Sequence, residues 1–388
     1  MSKKGIVLLG VLIIAVAIVA QSVFGLSGFG SDNVRLVNTD NGVSFAFDSN
    51  PSFHSSGGRS FYFVTRTGIR YVSDRGETEW SEPFVLTRPY MATRGDIVAV
   101  GEVDNSRVIY VYNSEGRLYT QFLDHPARGF FINSAGDLAV IMQLDGGYEV
   151  SVFNQMRHDG HLFGTQIALL SRPMHSPVVA DVSECGRFVA IAYLDFYRHL
   201  TTIVEFWPIG NAPWGTDGMF AQMDFPDEAI INLRFMADNQ ILIITDAQII
   251  LQQIEGNTLQ EVWAMPLYNR MDQLAFWGNN RFAFATGGPS TSDGRYAEPI
   301  GTVNIFDLNG LTGSFQLGRR ITHLSMSGTA VIIGADRHFH AVSTSGNSLW
   351  YHNAIQDVRD MIFMNDTDTV LIAGPHRAYV WRRQRVRD

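Results

Sequence analysis

At 388 residues, with 46% apolar and only 17% charged residues, the chain has material for a large buried core and is excluded from the intrinsically disordered class. A formal net charge of −9 excludes a general nucleic-acid binder, which needs a basic face to neutralise phosphates. The single cysteine, Cys185, excludes an internal disulfide framework, a two-cysteine redox motif and a thiolate metal cluster, and in a strand-rich segment it reads as a small core residue.

In chain order, residues 1–4 form a short stub carrying Lys3 and Lys4, the only lysines in the chain. Residues 5–26 carry no charge, and about 20 apolar residues span a bilayer as a helix. Basic residues flanking a first span favour the cytoplasmic side, so the stub is expected inside and the rest outside a bacterial cytoplasmic membrane. A cleavable signal peptide, with Ile18-Val19-Ala20 as an imperfect cleavage site and a secreted or periplasmic product, is the competing reading. The apolar run continues through Val23 to Leu26, longer than a usual signal core, which favours an uncleaved anchor. No cysteine follows the run, so a lipid-anchored protein is excluded. Residues 27–33, with Gly28, Gly30 and Ser27, read as a flexible linker, and residues 34–388 as one folded unit.

Within that unit, short continuous apolar runs recur: Phe61-Tyr-Phe-Val, Ile97-Val-Ala-Val, Leu138-Ala-Val-Ile, Phe188-Val-Ala-Ile, Ile241-Leu-Ile-Ile, Phe282-Ala-Phe-Ala, Ala330-Val-Ile-Ile and Val370-Leu-Ile-Ala. Runs of this length, rich in β-branched and aromatic residues, are strands buried on both faces. Each is followed by an alternating segment, such as Ile69-Arg-Tyr-Val, Val108-Ile-Tyr-Val-Tyr or Ala378-Tyr-Val-Trp, which marks a strand with one wetter face. Before the pairs lie inner-strand candidates, among them Val43-Ser-Phe-Ala-Phe, Gly129-Phe-Phe-Ile, Leu233-Arg-Phe-Met and Met361-Ile-Phe-Met. After most pairs comes a more polar strand, such as Leu118-Tyr-Thr-Gln-Phe or Ser348-Leu-Trp-Tyr.

Four antiparallel strands repeated at intervals of roughly 36 to 53 residues specify an all-β, eight-bladed β-propeller, with seven blades as the alternative. After Trp381 too few residues remain for a fourth strand in the last blade. The stretch Val34-Arg-Leu-Val-Asn has no other role and is expected to supply that strand and close the ring.

At two hairpin exits stand Gly76-x-x-x-Trp80 and Gly346-x-x-x-Trp350. This spacing resembles the blade turn of PQQ-like (quinoprotein-type) and WD40-like propeller repeats; the resemblance implies a tight bend at the glycine and an indole docked between blades. Gly116, Gly160 and Gly256 keep the turn, with Tyr119, Phe163 or the displaced Trp263 near the tryptophan position. The whole chain resembles single-pass, membrane-anchored bacterial propeller proteins. Quinone-dependent dehydrogenases resemble it poorly beyond the repeat, being much longer and carrying a dedicated calcium set, so no cofactor is expected. Ser73 to Trp80 resembles a sialidase aspartate box, but its tryptophan falls one residue late and the motif is not repeated.

His338-Phe339-His340 places two imidazoles on one strand face, but no third ligand can be assigned, and a solvated strand end is expected rather than a metal site. No phosphate loop, zinc-protease helix or nucleophile elbow is present. In a propeller, the loops between second and third strands and those between blades share one rim. On that rim the sequence gathers Arg172, His175, Tyr197, Arg198, His199, Arg295, Tyr296 and Arg337, residue types favoured as interface anchors. The leading expectation is therefore a non-enzymatic scaffold, tethered outside the membrane, that binds an envelope protein or polymer. The alternatives are a sensor or carbohydrate- or small-ligand-binding propeller, and a propeller hydrolase or lyase.

Overall fold

The structure, a computed structural model, describes residues 35–39, 42–46, 51–104, 106–158, 161–172, 176–195, 200–209, 218–287, 301–364 and 367–383. The expected anchor and linker lie outside these residues. Among the described residues no helix is long and apolar enough to cross a membrane.

The described chain is almost entirely β-structure, with one three-residue 3-10 turn, Ala237–Asn239. Consecutive strands pair antiparallel into eight blades, spanning residues 52–83, 89–122, 127–172, 176–226, 230–266, 271–317, 323–353 and, for the last, 360–382. In every blade the second strand is the apolar run seen in the sequence; Ser60–Thr65, Ile97–Glu102 and Ala330–Ala335 are buried at every position. These strands sit in mid-blade, so both of their faces pack on neighbouring blades. The third strands alternate, as in Gly68–Ser73 and His338–Ser343, and the fourth strands, such as Thr78–Pro83, expose every second residue or more.

The core is not central. It is divided into eight wedges, each formed by the facing sides of two adjacent blades. Tyr62, Val64 and Tyr71 of blade 1 meet Val98, Val100 and Tyr112 of blade 2, for example. The wedge that closes the ring joins Phe53, Phe61 and Phe63 of blade 1 to Leu371, Ala373, Ala378 and Val380 of blade 8.

An N-terminal strand does complete blade 8, but it is not the one the sequence suggests. β1 (Arg35–Thr39) pairs with β2 (Gly42–Ala46), and β2 in turn pairs with Arg377–Arg382, through Ser44 opposite Tyr379. The closing strand is thus β2, which contains the Val43 segment assigned to the inner position, and β1 adds a fifth, outermost strand. The inner strand of blade 1 is β3 (Ser52–Ser55), whose only fully buried side chain is Phe53. Period-two alternation fits an outer strand against a neighbour and an inner strand equally well, so Val43-Ser-Phe-Ala-Phe carries no mark of its place. Blade 3 has a second departure. Its last two strands run to 12 residues each, Gly147–His158 and His161–Arg172, and Phe163 makes a parallel bridge to Thr120 at the edge of blade 2.

Candidate functional site

The blade turns come first, because they hold the faces in place. Gly76 and Gly346 take φ of +85° and +84°, a region that only glycine occupies without strain. The indole of Trp80 stacks between Tyr71 and Tyr112 and donates from Nε1 to the Ser114 carbonyl of the next blade at 2.8 Å. Trp350 donates likewise to the Thr367 carbonyl of blade 8 at 2.8 Å. Where the motif is imperfect the same bridge is made by other means: Trp263 to the Leu308 carbonyl at 3.2 Å, and the Tyr119 hydroxyl to the Gly136 carbonyl at 2.7 Å.

Two ends of the ring carry candidate sites. The first is the inter-blade rim. Of the residues expected there, His175, Tyr197, Arg198, His199, Arg295 and Tyr296 lie outside the described residues, and Arg172 is described only as the last residue of its strand. Arg337 is exposed on this rim, with Asp357 2.6 Å away. Arg128 and Arg320 are similarly engaged, with Asp104 at 2.5 Å and Asp272 at 3.0 Å. Each of these arginines already holds a carboxylate.

What the rim exposes instead is apolar. Val85, Phe122, Tyr268 and Ile355 are 91%, 73%, 89% and 84% exposed, and all four stand at inter-blade connections or at the end of a fourth strand. Tyr90, Val178 and Ile231, at the starts of inner strands on the same face, are also exposed. Sequence reasoning weighted arginine and tyrosine and missed these residues. A signal was there: in Phe84-Val85-Leu86 the flanking residues are buried and the middle one is not, as alternation requires of a connector lying on a core wedge.

The second site lies in the central channel, at the opposite end, where first strands turn into second strands. A cavity of about 580 Å³ opens there, lined by His54, Arg94, Arg234, Phe276, Trp277 and Met326 among others, with no carboxylate among the described residues of its wall. Arg94, 3% exposed at its side chain, links four blades: Nη2 donates to Asp181 at 2.5 Å, Nη1 to the Phe235 carbonyl at 3.0 Å and Nε to the Ile132 carbonyl at 3.4 Å, and Glu184 lies 3.3 Å away. Asp181 also accepts from the Phe235 N–H at 2.6 Å; burial pushes its carboxyl up, against the pull of Arg94. Arg234 stacks on Phe276, 4.2 Å from the ring centroid, and donates from Nη2 to the Gly278 carbonyl at 3.2 Å. Burial, then the nearby Arg94, push its guanidinium down to about 9. His54 is held below the ordinary histidine value chiefly by burial, with its Nε2 donating to the Gly95 carbonyl at 2.9 Å.

Two residues singled out by sequence sit elsewhere. His338 and His340 share a face with Tyr351, with ring centroids 6.3 and 4.8 Å from it, and Arg319 lies 3.2 Å from His338. No group of three or more His, Cys, Asp or Glu side chains that would hold a metal is found among the described residues. Cys185 is not a core residue: it is exposed in the turn after Ser176–Val182, because the next buried run begins only at Val189.

A family model matches residues 48–379, nearly the whole ring. The chain belongs to DUF5711, a family of unknown function. No curated protein matches it. Among solved structures, this DUF5711 member is similar to the Dos1 propeller, with 10% identity, 88% of this chain and 94% of that one covered, and a TM-score of 0.56. It is also similar to Chaetomium thermophilum Sqt1, solved bound to the N-terminus of a ribosomal protein, with 10% identity, coverage of 84% and 94%, and a TM-score of 0.55. BamB from Moraxella catarrhalis matches over 90% of this chain and 100% of its own, at 12% identity and a TM-score of 0.47. At such identities the likeness to Dos1 and Sqt1 is one of fold.

Proposed function

We propose that this DUF5711 member is a non-catalytic binding platform, tethered outside the bacterial cytoplasmic membrane, whose inter-blade rim docks a protein lying in or against the bilayer. The observation that carries the reading is the set of exposed apolar side chains on that rim, Val85, Phe122, Tyr268 and Ile355. Large apolar residues gathered on one face of a soluble fold are the mark of an interaction surface.

The direction of the face follows from β1. Arg35 pairs with Ala46, at the end of β2 that leads into blade 1, so the chain enters the ring on the inter-blade rim. With residues 5–26 as the anchor, the intervening linker extends at most about 28 Å. The apolar rim then faces the membrane, and the tether raises the local concentration of whatever shares that membrane.

The test pairs topology with docking. Cys185, the sole cysteine and an exposed one, is a native topology probe: in intact spheroplasts a membrane-impermeant maleimide labels it if the propeller is outside. Labelling only after lysis overturns the location. A photo-crosslinking residue at Tyr268 or Ile355 is expected to yield a discrete membrane-protein adduct that is lost when the other rim positions Val85 and Phe122 become serine. The same adduct from Leu311, an exposed outer-strand residue, would overturn the rim assignment.

A further inference from the structure

At the far end of the channel from the rim, Arg234 presents an unusual arrangement. Its side chain is half-buried, no carboxylate pairs with it among the described residues, and its Nε is buried without a hydrogen-bond partner. The two nearest acidic groups are engaged elsewhere. Asp181 is held by Arg94 and by the Phe235 N–H, and Glu184 accepts from the Ser134 N–H and hydroxyl while lying against Arg94. A partly buried cation without a counter-ion loses hydration that nothing replaces, and a buried donor without an acceptor adds to the cost.

The cavity that Arg234 borders is suited to supply what is missing. Its wall carries Arg94, Arg234 and His54 together with Phe276, Trp277 and Met326, and among the described residues no Asp or Glu lines it. At about 580 Å³ it falls within the range of roughly 300–1,000 Å³ typical of small-molecule sites, which are mostly apolar with a few convergent polar groups. The Arg234 guanidinium lies over the Phe276 ring, 4.2 Å from its centroid, which holds the group at the cavity wall.

We infer that the channel cavity is a binding site for a small organic anion, with a carboxylate or phosphate head accepting hydrogen bonds from the Arg234 guanidinium and a flat apolar body against Phe276, Trp277 and Met326. Carboxylate and phosphate oxygens match the donors of a guanidinium, and charge-assisted hydrogen bonds of this kind are the strong ones. The site is independent of the apolar rim, which lies at the other end of the ring.

The experiment titrates the full chain, in nanodiscs, calorimetrically with 2-naphthoate, with 2-naphthyl phosphate and with neutral 2-naphthamide. At least one anion is expected to bind, and the amide to bind about tenfold or more weakly. Which anion binds more tightly identifies the head group. R234M is expected to cut the anion's affinity about tenfold or more while leaving the amide's unchanged, and R234K to retain part of it. Because R234M removes a partly buried charge with no counter-ion and a buried donor with no acceptor, its melting temperature is expected to match or exceed that of the parent, so loss of binding is separable from loss of fold. Rim variants of Phe122 and Tyr268 are expected to bind the anion as the parent does. Silence with both anions at millimolar concentration, equal binding of the amide, or unchanged anion affinity in R234M overturns the inference.

Discussion

Arg94 and Asp181 show how one residue pair joins distant parts of the ring. Removing Arg94 takes away the cation hydrogen-bonded to the buried Asp181 and frees two carbonyls, so Arg94→Met is expected to cost about 3–5 kcal/mol in chemical denaturation. Adding Asp181→Asn, which keeps an acceptor for the Phe235 N–H, is expected to restore part of that loss; strictly additive costs would show that the pair does not couple. Histidines give a pH signature. His54, His340 and His352 all lie below the ordinary value of 6.5, each chiefly through burial. The unfolded chain therefore binds protons first as pH falls through 6.5, and stability drops with it. The urea midpoint is expected to fall between pH 7.5 and 5.5, and to fall less in His54→Asn, which removes one of these groups. Cys185 behaves oppositely to a buried thiol. Partial burial lifts it, but hydrogen bonds from Arg187, at 3.4 Å, and from Ser183 outweigh burial and lower it. Alkylation of Cys185 at neutral pH is expected to slow in Arg187→Ala, with the midpoint of its pH–rate profile moved upward.

Among the elements, the glycine turns differ in what surrounds them. Gly346 and Gly116 both have positive φ, but a Cβ at Gly346 would stand 2.3 Å from the Ser314 carbonyl oxygen of the preceding blade, while at Gly116 nothing lies within 4 Å. Gly116→Ala is expected to cost about 1–3 kcal/mol for backbone strain, and Gly346→Ala clearly more, because the blades must separate. Equal melting temperatures would contradict that. The Gly-to-Trp spacing was legible in the sequence because a turn and its docked indole are close in the chain. That Tyr119 and Trp263 make equivalent bridges was not legible, since their partners, Gly136 and Leu308, lie in the next blade.

For the whole molecule, closure depends on β2. Deleting residues 1–41 removes β1 and leaves the β2 pairing with the last strand intact, so the ring is expected to keep nearly its full melting temperature. Deleting residues 1–46 strips blade 8 to three strands and exposes an unpaired edge, and a lower melting temperature with aggregation is expected. The reverse order would place closure on β1.

The sequence by itself determined the repeat, the eight blades and the position of every second strand, because burial on both faces writes a continuous apolar run that needs no knowledge of neighbours. It also determined that an N-terminal strand completes the last blade. Only the tertiary structure decided which strand that is, since alternation in Val43-Ser-Phe-Ala-Phe suits either place. The same holds for the sites. Rim arginines read as anchors in the sequence, and the fold paired Arg128, Arg320 and Arg337 with carboxylates while leaving Val85, Phe122, Tyr268 and Ile355 in solvent. Arg234, unremarkable within Leu233-Arg-Phe-Met, acquired its meaning when the ring placed Arg94, Asp181 and Phe276 around it. Side-chain charge is local information; whether that charge finds a partner is decided by residues brought together from different blades.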